Sequence, residues 1–463
     1  MKHVIYTVLC VICWSNLKAQ EQLSGQLSFA EYLGYVKKYH PLTRQANLSI
    51  SRAEAELMSA RGGFDPKIEV DYDKKEFKGT AYYSLLNSSF KIPTWYGIEI
   101  KAAFDDNNGK YLNPQNSTPN GGLASLGITV PLAQGLLINR RMADLRTAKV
   151  LVRMSIAERK LQATEAIYAA SLAYFGWKRA FDEVKLYETY LEYARVRYSG
   201  VIKLIRAGDK PAIDSVEAGI TVKTRRLSLA DAQLKLIKAR LELSNYLWVE
   251  DVPVELGENM VPQENPAKDA AASLNLADAT VVPLHVEQHP KLQTLQGKVD
   301  LLEIERRYKA NLLLPKINLS YNYLSEPAYF DNYRFEDYKL GVSFSIPLFL
   351  RKERGGLRLA KLKIQESLLD LDLTRVALKN KILAQQAEIR TLEDQQKTAS
   401  ELVRDYSTML TSEERLFSLG ESSLFVINSR ENNVVSSRLS EITIENRLLN
   451  SIADLFRVIS DPQ

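Results

Sequence analysis

The chain has 463 residues and a net formal charge of only +5, which gives no indication of a nucleic-acid partner. Residues 1–19 predict a secretory signal peptide, because a basic start at Lys2 precedes an apolar stretch that ends near Ala19. Both cysteines of the chain, Cys10 and Cys13, would leave with this segment. We therefore expect an exported protein whose stability depends on burial and association rather than on disulfides or thiolate metal sites.

After the signal the same pattern occurs twice. The matching positions, all offset by 249, are His40 and His289, Pro41 and Pro290, and Pro66 and Pro315. This internal repeat predicts a first unit of helices and strands over residues 20–255 and a second over residues 284–463. Between them, residues 256–283 are rich in Pro, Asn, Asp and Ala, which predicts a linker or equatorial region with short helices at most.

Each repeat contains a stretch with strand alternation, at about residues 66–131 and 315–347. In the first, Ile68, Val70 and Tyr72 share one face while acidic residues occupy the other. Such strands suit a membrane barrel, although a soluble sheet with one solvated face has the same alternation. Residues 90–92 and 97–104 could be additional strands, and residues 113–122 read as a loop, so the strand count of this stretch stays open.

The remaining segments predict long helices at about residues 137–207, 211–248, 354–417 and 422–458. Apolar residues recur there at alternating steps of three and four, which is typical of a coiled-coil seam. The seam of the second helix is Ile213, Val216, Ile220, Leu227, Ala230, Leu234, Ile237 and Leu241, interrupted at Lys223.

Two strands per repeat give four strands per chain, which is too few for a closed membrane barrel. An open sheet edge cannot lie in hydrocarbon, so several copies would have to pool their strands. Three copies of four strands would form a twelve-stranded barrel.

This order of elements resembles the TolC-like outer membrane efflux family across nearly the whole mature chain. The prolines where helix and barrel would meet are Pro66, Pro131, Pro315 and Pro347. The resemblance implies a mainly α fold with a membrane β-barrel part: a homotrimer whose twelve strands lie in outer membrane lipid, continued by a coiled-coil helical barrel into the periplasm of a Gram-negative bacterium. It implies a passive exit duct of a tripartite efflux system, with a periplasmic adaptor protein and an inner-membrane pump as partners.

The resemblance also assigns roles to the turns between paired helices. The turns would form periplasmic tips that meet the adaptor, with Arg206, Gly208, Leu419 and Gly420 at the contact. Acidic residues near them would ring a gated aperture, and the candidates are Asp214, Asp209, Asn428 and Glu421. Asn428 stands where the family pattern has an acid, and Asp214 has the alternative role of opposing the positive end of its own helix dipole.

The sequence indicates no catalytic residues, metal or cofactor. His285 and His289 are four residues apart, but they lack the metalloprotease order and Pro290 follows directly. Two alternatives remain open at this point: the exit duct of a type I protein secretion system, and a trimeric coiled-coil envelope spacer or adhesin, which would need heptads but no alternating strands.

Overall fold

The computed structural model describes residues 25–264, 266–276, 286–330 and 334–459. The predicted signal peptide, with Cys10 and Cys13, lies outside the described residues, as does His285. The chain is mostly helical and divides into two compact units. None of the described helices carries an apolar stretch sufficient to cross a lipid bilayer.

The helices are long in both repeats. Those of the first repeat are α1 (Phe29–Tyr39), α2 (Pro41–Arg61), α3 (Arg140–Arg206) and α4 (Ile213–Ser244). A short helix, α5 (Ala267–Ser273), lies in the predicted linker. Those of the second repeat are α6 (Pro290–Asn311), α7 (Arg351–Ser418) and α8 (Leu424–Ile459). With 67 and 68 residues, α3 and α7 exceed what a single compact globule accommodates, because a helix rises about 1.5 Å per residue.

The first unit is made of the described residues within 1–47, 159–290 and 376–463. It contains α1, α4, α5, α8 and the larger parts of α3 and α7, together with short strand pairs. These are β1 (Gln26–Leu27) with β8 (Val261–Pro262), which are parallel, and β6 (Trp248–Val249) with β7 (Val252–Pro253), which are antiparallel.

Aromatic residues fill the core of this unit. Phe29 stacks on Phe175 with ring centroids 4.9 Å apart, and Tyr174 lies edge-on to Phe29 at 5.2 Å. The hydroxyl of Tyr174 donates to the carbonyl of Leu27 at 2.7 Å. Burial raises the pKa of Tyr174 to about 12, so the side chain stays neutral and remains a donor. The core thereby fixes Leu27 and α1 against α3.

The second unit, residues 48–158 and 291–375, is built around one antiparallel sheet. Its strands are β2 (Lys67–Phe77), β3 (Thr80–Pro93), β4 (Glu99–Asn108), β5 (Leu123–Pro131), β9 (Lys316–Ser325) and β10 (Tyr338–Ser345). The strand order is β10-β9-β5-β4-β3-β2. Lys78 and Gly79, both with positive φ, form the two-residue turn between β2 and β3, as a tight hairpin requires.

The predicted count of four strands per chain is therefore wrong, since six strands share this sheet. The segments at residues 90–92 and 97–104, noted above as possible strands, lie in β3 and β4. The two additional strands, β3 and β4, form an antiparallel hairpin. A hairpin reverses the chain twice, so its insertion leaves the direction of the neighbouring strands unchanged. The prediction of a twelve-stranded barrel from three copies assumed four strands per chain, so it no longer follows.

A turn between β3 and β4 packs against the neighbouring helices of the same unit. Trp95 in this turn contacts a cluster of Ile138, Met142 and Ala143 and stacks on Phe64 at 5.6 Å. The adjoining Glu99 accepts a hydrogen bond from Arg141 at 2.9 Å. The extra hairpin is thus held to the helices at the end where the chain enters and leaves the sheet.

Candidate functional site: a two-faced sheet and two helix turns

The six-stranded sheet has one apolar face. Residues paired across all six strands form a row on this face: Ile68, Phe90, Ala102, Leu126, Tyr323 and Tyr338. The next row includes Ile100, Ile128, Tyr321 and Leu340. Most of these side chains are exposed, and Ile68 reaches 76 %. A contiguous apolar face left open to solvent marks a membrane or protein contact.

The opposite face of the same sheet is polar. Its row adjacent to the first apolar row is Lys67, Lys91, Lys101, Gly127, Asn322 and Lys339. Lys91 also forms an ion pair with Glu69 on this face. Because the register keeps every strand in phase, these apolar and polar rows run on opposite sides of the sheet from β2 to β10. That arrangement is what a barrel wall needs between lipid and water. At the end away from the helices, Lys74, Ser84 and Asp106 lie on the apolar side.

The two edges of the sheet, β2 and β10, each have one strand neighbour among the described residues. All of β2 is exposed, and so is β10 except for half-buried Gly341. Their outward backbone groups are available for pairing with another strand.

The four candidate junction prolines lie beside strand ends. Pro66 directly precedes β2 and Pro315 directly precedes β9, while Pro131 is the last residue of β5 and Pro347 follows β10 by two residues. Proline cannot donate to a strand ladder, so these positions limit the sheet at the end nearest the helices.

The two candidate tips have the same backbone geometry. After α3, the N–H of Gly208 donates to the carbonyl of Ile205 at 3.1 Å and that of Asp209 to Leu204 at 2.9 Å. After α7, the N–H groups of Gly420 and Glu421 bond to Phe417 and Leu416 at 3.1 and 2.9 Å. Both turns are Schellman caps, and both glycines have the positive φ that this cap requires, +86° and +80°.

The candidate docking residues are exposed on these turns. Arg206, Gly208, Leu419 and Gly420 are all accessible, and Leu419 is an exposed apolar side chain. Beneath them, Val201, Ala218 and Leu424 form a small buried cluster with Phe417 packed against it. The turns therefore lie over a contact of α3, α4, α7 and α8.

The aperture candidates have different environments. Asp214 lies half-buried in the first turn of α4, and Asp209 and Glu421 are exposed on the turns. Asn428 is bound into a network, since its amide donates to Glu217 at 3.0 Å and its oxygen accepts from Arg197 at 3.4 Å. The four candidates therefore do not share one environment in the single chain.

A buried ion cluster near the turns was not foreseen from the sequence. The carboxylate of Glu431 on α8, 1 % exposed, lies 2.7 Å from Arg197 on α3 and 3.3 Å from Arg225 on α4. Arg225 also donates to Asn432 at 2.7 Å. The sequence feature that could have revealed it is Glu431 itself, a charged residue in line with the buried apolar positions Ile427 and Val434 of α8. The cluster ties three helices together, about two to three turns of helix from the tips.

The predicted seam of α4 faces outward. Its members Ile213, Val216, Ile220, Leu227, Leu234, Ile237 and Leu241 are 47–74 % exposed. The buried residues of this helix are instead Ala218, Arg225, Ala232 and Leu243. An apolar stripe along the whole helix is thus left without a partner in the single chain.

Comparisons with known proteins agree with this geometry. Residues 281–460 match the outer membrane efflux protein family. No curated protein sequence matches the chain. These findings, with the shared fold described next, confirm the resemblance to the TolC-like family.

Several solved outer membrane channels share the fold. The CmeC outer membrane channel of Campylobacter jejuni is 14 % identical, with a TM-score of 0.66 over 93 % of this chain and 85 % of that one. The open-state MtrE outer membrane channel of Neisseria gonorrhoeae is 13 % identical, with a TM-score of 0.64 over 93 % and 88 %. The outer membrane protein VceC of Vibrio cholerae is 11 % identical, with a TM-score of 0.63 over 93 % and 95 %.

Proposed function

We propose that copies of this chain assemble into a channel that serves as the passive exit duct of an efflux system and is gated at its two helix turns. The observation that carries the proposal is the sheet whose apolar and polar rows run on opposite faces across all six strands. A six-stranded sheet is too small to close on itself in a membrane, where the smallest single-chain barrels have about eight strands. Several copies must therefore contribute to one pore.

Three copies are the number that the resemblance to the TolC-like family implies. The exposed apolar stripe on α4 supports self-association, because burying it against a second copy would remove seven large side chains from water. The periplasmic adaptor would dock on the exposed turns at Gly208 and Gly420. Energy for transport would come from an inner-membrane pump.

The aperture would be lined by first-turn residues of α4 and α8. Asp214 is the acid best placed for this role, since Asn428 is engaged with Glu217 and Arg197. Three copies of Asp214 would then set the charge of the entrance.

Planar-bilayer recording of the purified protein tests the proposal. We expect discrete conductance steps, because a closed barrel with a polar interior conducts ions. We expect Asp214→Asn to lower the preference for cations while the steps persist, with Asp231→Asn, on an exposed part of the same helix, as the matched control. A protein that inserts into membranes without any conductance steps would instead fit the envelope spacer, and the duct would be refuted.

A further inference from the structure

The two free edges of the sheet are complementary to each other. The chain enters β2 from the helices and leaves β10 toward the helices, so the two strands run in opposite directions. A β2 edge on one copy can therefore form an antiparallel ladder with the β10 edge of the next copy. This inference rests on the proposed channel and specifies how its wall closes.

The register of such a ladder follows if the strand ends nearest the helices, here called the rim, lie at the same height around the barrel. The polar row that starts at Lys67, the first residue of β2, reaches β10 at Lys339, six residues before its last residue, Ser345. If the rim is level around the barrel, Ser345 lies opposite Lys67 of the next copy. Lys339 then lies opposite Asp73.

The tilt of the strands agrees with this register. A shift of six residues per copy is about 20 Å along the strands, against about 29 Å across six strands, which gives a tilt of about 35°. Known barrels have strands tilted by about 35–45°. A register shorter by two residues, with Asp71 opposite Lys339, gives only about 25°.

Charge discriminates against the longer register. A shift of eight residues gives an acceptable tilt of about 43°, but it places Lys75 opposite Lys339. Like charges directly opposite one another on neighbouring strands destabilise the pair, whereas Asp73 opposite Lys339 is attractive. This register also keeps the two faces of the sheet in phase across the seam, because Asp73 and Lys339 both lie on the polar face.

The same register pairs the apolar side chains. Ile68 would lie opposite Phe344, Val70 opposite Val342, and Tyr72 opposite Leu340. All of these residues are exposed in the single chain, with Val70 and Val342 at 60 % and 68 %. All eight residues of β10 would be paired, and the last pair would be Lys74 with Tyr338. The ladder ends there because Tyr338 is the first residue of β10, and just beyond it β2 has a bulge between Lys75 and Glu76.

We infer that β2 of one copy pairs with β10 of the next with Asp73 opposite Lys339, so that the barrel closes with six strands from each copy, eighteen in the proposed trimer. Eighteen strands at this tilt make a barrel about 34 Å across, compared with about 22 Å for twelve strands. The hairpin of β3 and β4 thereby widens the pore.

Cysteine pairs test the register in the membrane-embedded protein. Val70→Cys is combined with Leu340→Cys, Val342→Cys or Phe344→Cys, and each pair is oxidised with copper–phenanthroline. The unsubstituted chain, whose cysteines are Cys10 and Cys13, is the background control. We expect Val70→Cys with Val342→Cys to give at least about five times more covalent trimer than either other pair, because diagonal residues are about 7–8 Å apart and disulfides do not reach that far.

A charge exchange provides a second test that does not depend on oxidation. Asp73→Lys or Lys339→Asp alone should lower the fraction of trimers that survive in detergent, because two like charges then meet at the seam. The double variant should restore that fraction toward that of the unsubstituted protein. Because both side chains are exposed in the single chain, each variant is expected to fold.

Several results would overturn the inference. These are preferential linkage through Leu340→Cys or Phe344→Cys, covalent species that stop at the dimer, and a double charge variant no better than the single ones. Conductance steps together with any of these results would leave the proposed channel standing and remove only this seam. A chain that neither enters membranes nor conducts would contradict both.

Discussion

In the first repeat four strands separate α2 from α3, whereas in the second two strands separate α6 from α7, although the helix turns that follow are alike in both halves. The difference shows which parts of such a fold tolerate change. An antiparallel sheet accepts an added hairpin because every backbone group gains a partner and the strand directions are kept. A Schellman turn has no such freedom, since its cap depends on one residue with positive φ.

The two repeats also differ a few helical turns away from the tips, where the buried ion cluster draws both of its arginines from the first repeat. The turns are related by an offset of 212, since Gly208 matches Gly420. By that offset Arg197, one of the two arginines that bind Glu431, corresponds to Met409. One buried ion cluster therefore joins the repeats, with its cations from the first and its anion from the second.

Removing the anion is the largest expected effect on this asymmetric arrangement. Glu431→Ala leaves buried Arg225 and half-buried Arg197 without this carboxylate, which should cost about 3–5 kcal/mol of unfolding free energy. Thermal unfolding followed by circular dichroism measures it.

Glu414→Ala is the matched control for that loss. Glu414 also faces Arg197, at 3.6 Å, but its side chain is 49 % exposed, so its removal should cost less than about 1 kcal/mol. Equal losses of unfolding free energy in the two variants would show that the buried cluster stabilises the fold no more than an exposed ion pair does, and that other contacts hold the repeats together.

Because the two turns have the same Schellman geometry, we expect equal effects of the same substitution at both. Gly208→Ala and Gly420→Ala should each lower the unfolding free energy by about 1 kcal/mol, because alanine at positive φ is strained. Neither added Cβ would meet an atom within 4 Å, so the backbone alone is tested.

A helical glycine supplies the control for both turns. Gly200 lies within α3, and a Cβ there also meets nothing within 4 Å. Gly200→Ala should therefore raise stability by up to about 1 kcal/mol, through helix propensity. If one turn variant lost stability and the other did not, the two turns would not be equivalent in solution. A loss of efflux in both, with trimers intact, would support the turns as docking sites.

The sequence was sufficient for features with strong local periodicity. The three-four spacing of apolar residues predicted the stripe of α7 that includes Ile382, Ile389 and Leu392, and these residues are buried. The alternation at Leu340, Val342 and Phe344 predicted the two faces of β10.

The extra hairpin lacked such a signal. In β3 the neighbours Leu85 and Leu86 break the alternation, and serines and asparagine occupy most of the central positions. Pairing with β2 and β4 then determines the strand, and that depends on residues distant in sequence. The ion cluster was missed for a similar reason, since its charges come from three helices and only Glu431 breaks an apolar pattern.

The smallest expected effect concerns the two matching histidines, which precede α2 and α6. The ring of buried His40 accepts a hydrogen bond at Nδ1 from the N–H of Leu42 at 3.2 Å and stacks on Tyr246. His289, also buried, has Nε2 2.8 Å from the carbonyl of Val458, to which only a protonated nitrogen can bond. One ring therefore accepts where the other donates.

Burial lowers the pKa of His40, against an opposing hydrogen bond with the backbone of Asn245. The folded state therefore favours the neutral ring, and this contribution to stability is complete above the ordinary pKa of about 6.5 and is lost as the pH falls through the lowered value. His40→Phe keeps the stacking, loses the hydrogen bonds with Leu42 and Asn245 and removes the titration. Its melting temperature should therefore fall less than that of the unsubstituted protein between neutral and mildly acidic pH. His289→Phe, which loses the bond to Val458, should already be less stable at neutral pH. If the acid sensitivity of His40→Phe matched that of the unsubstituted protein, the difference between the two rings would have no bearing on stability.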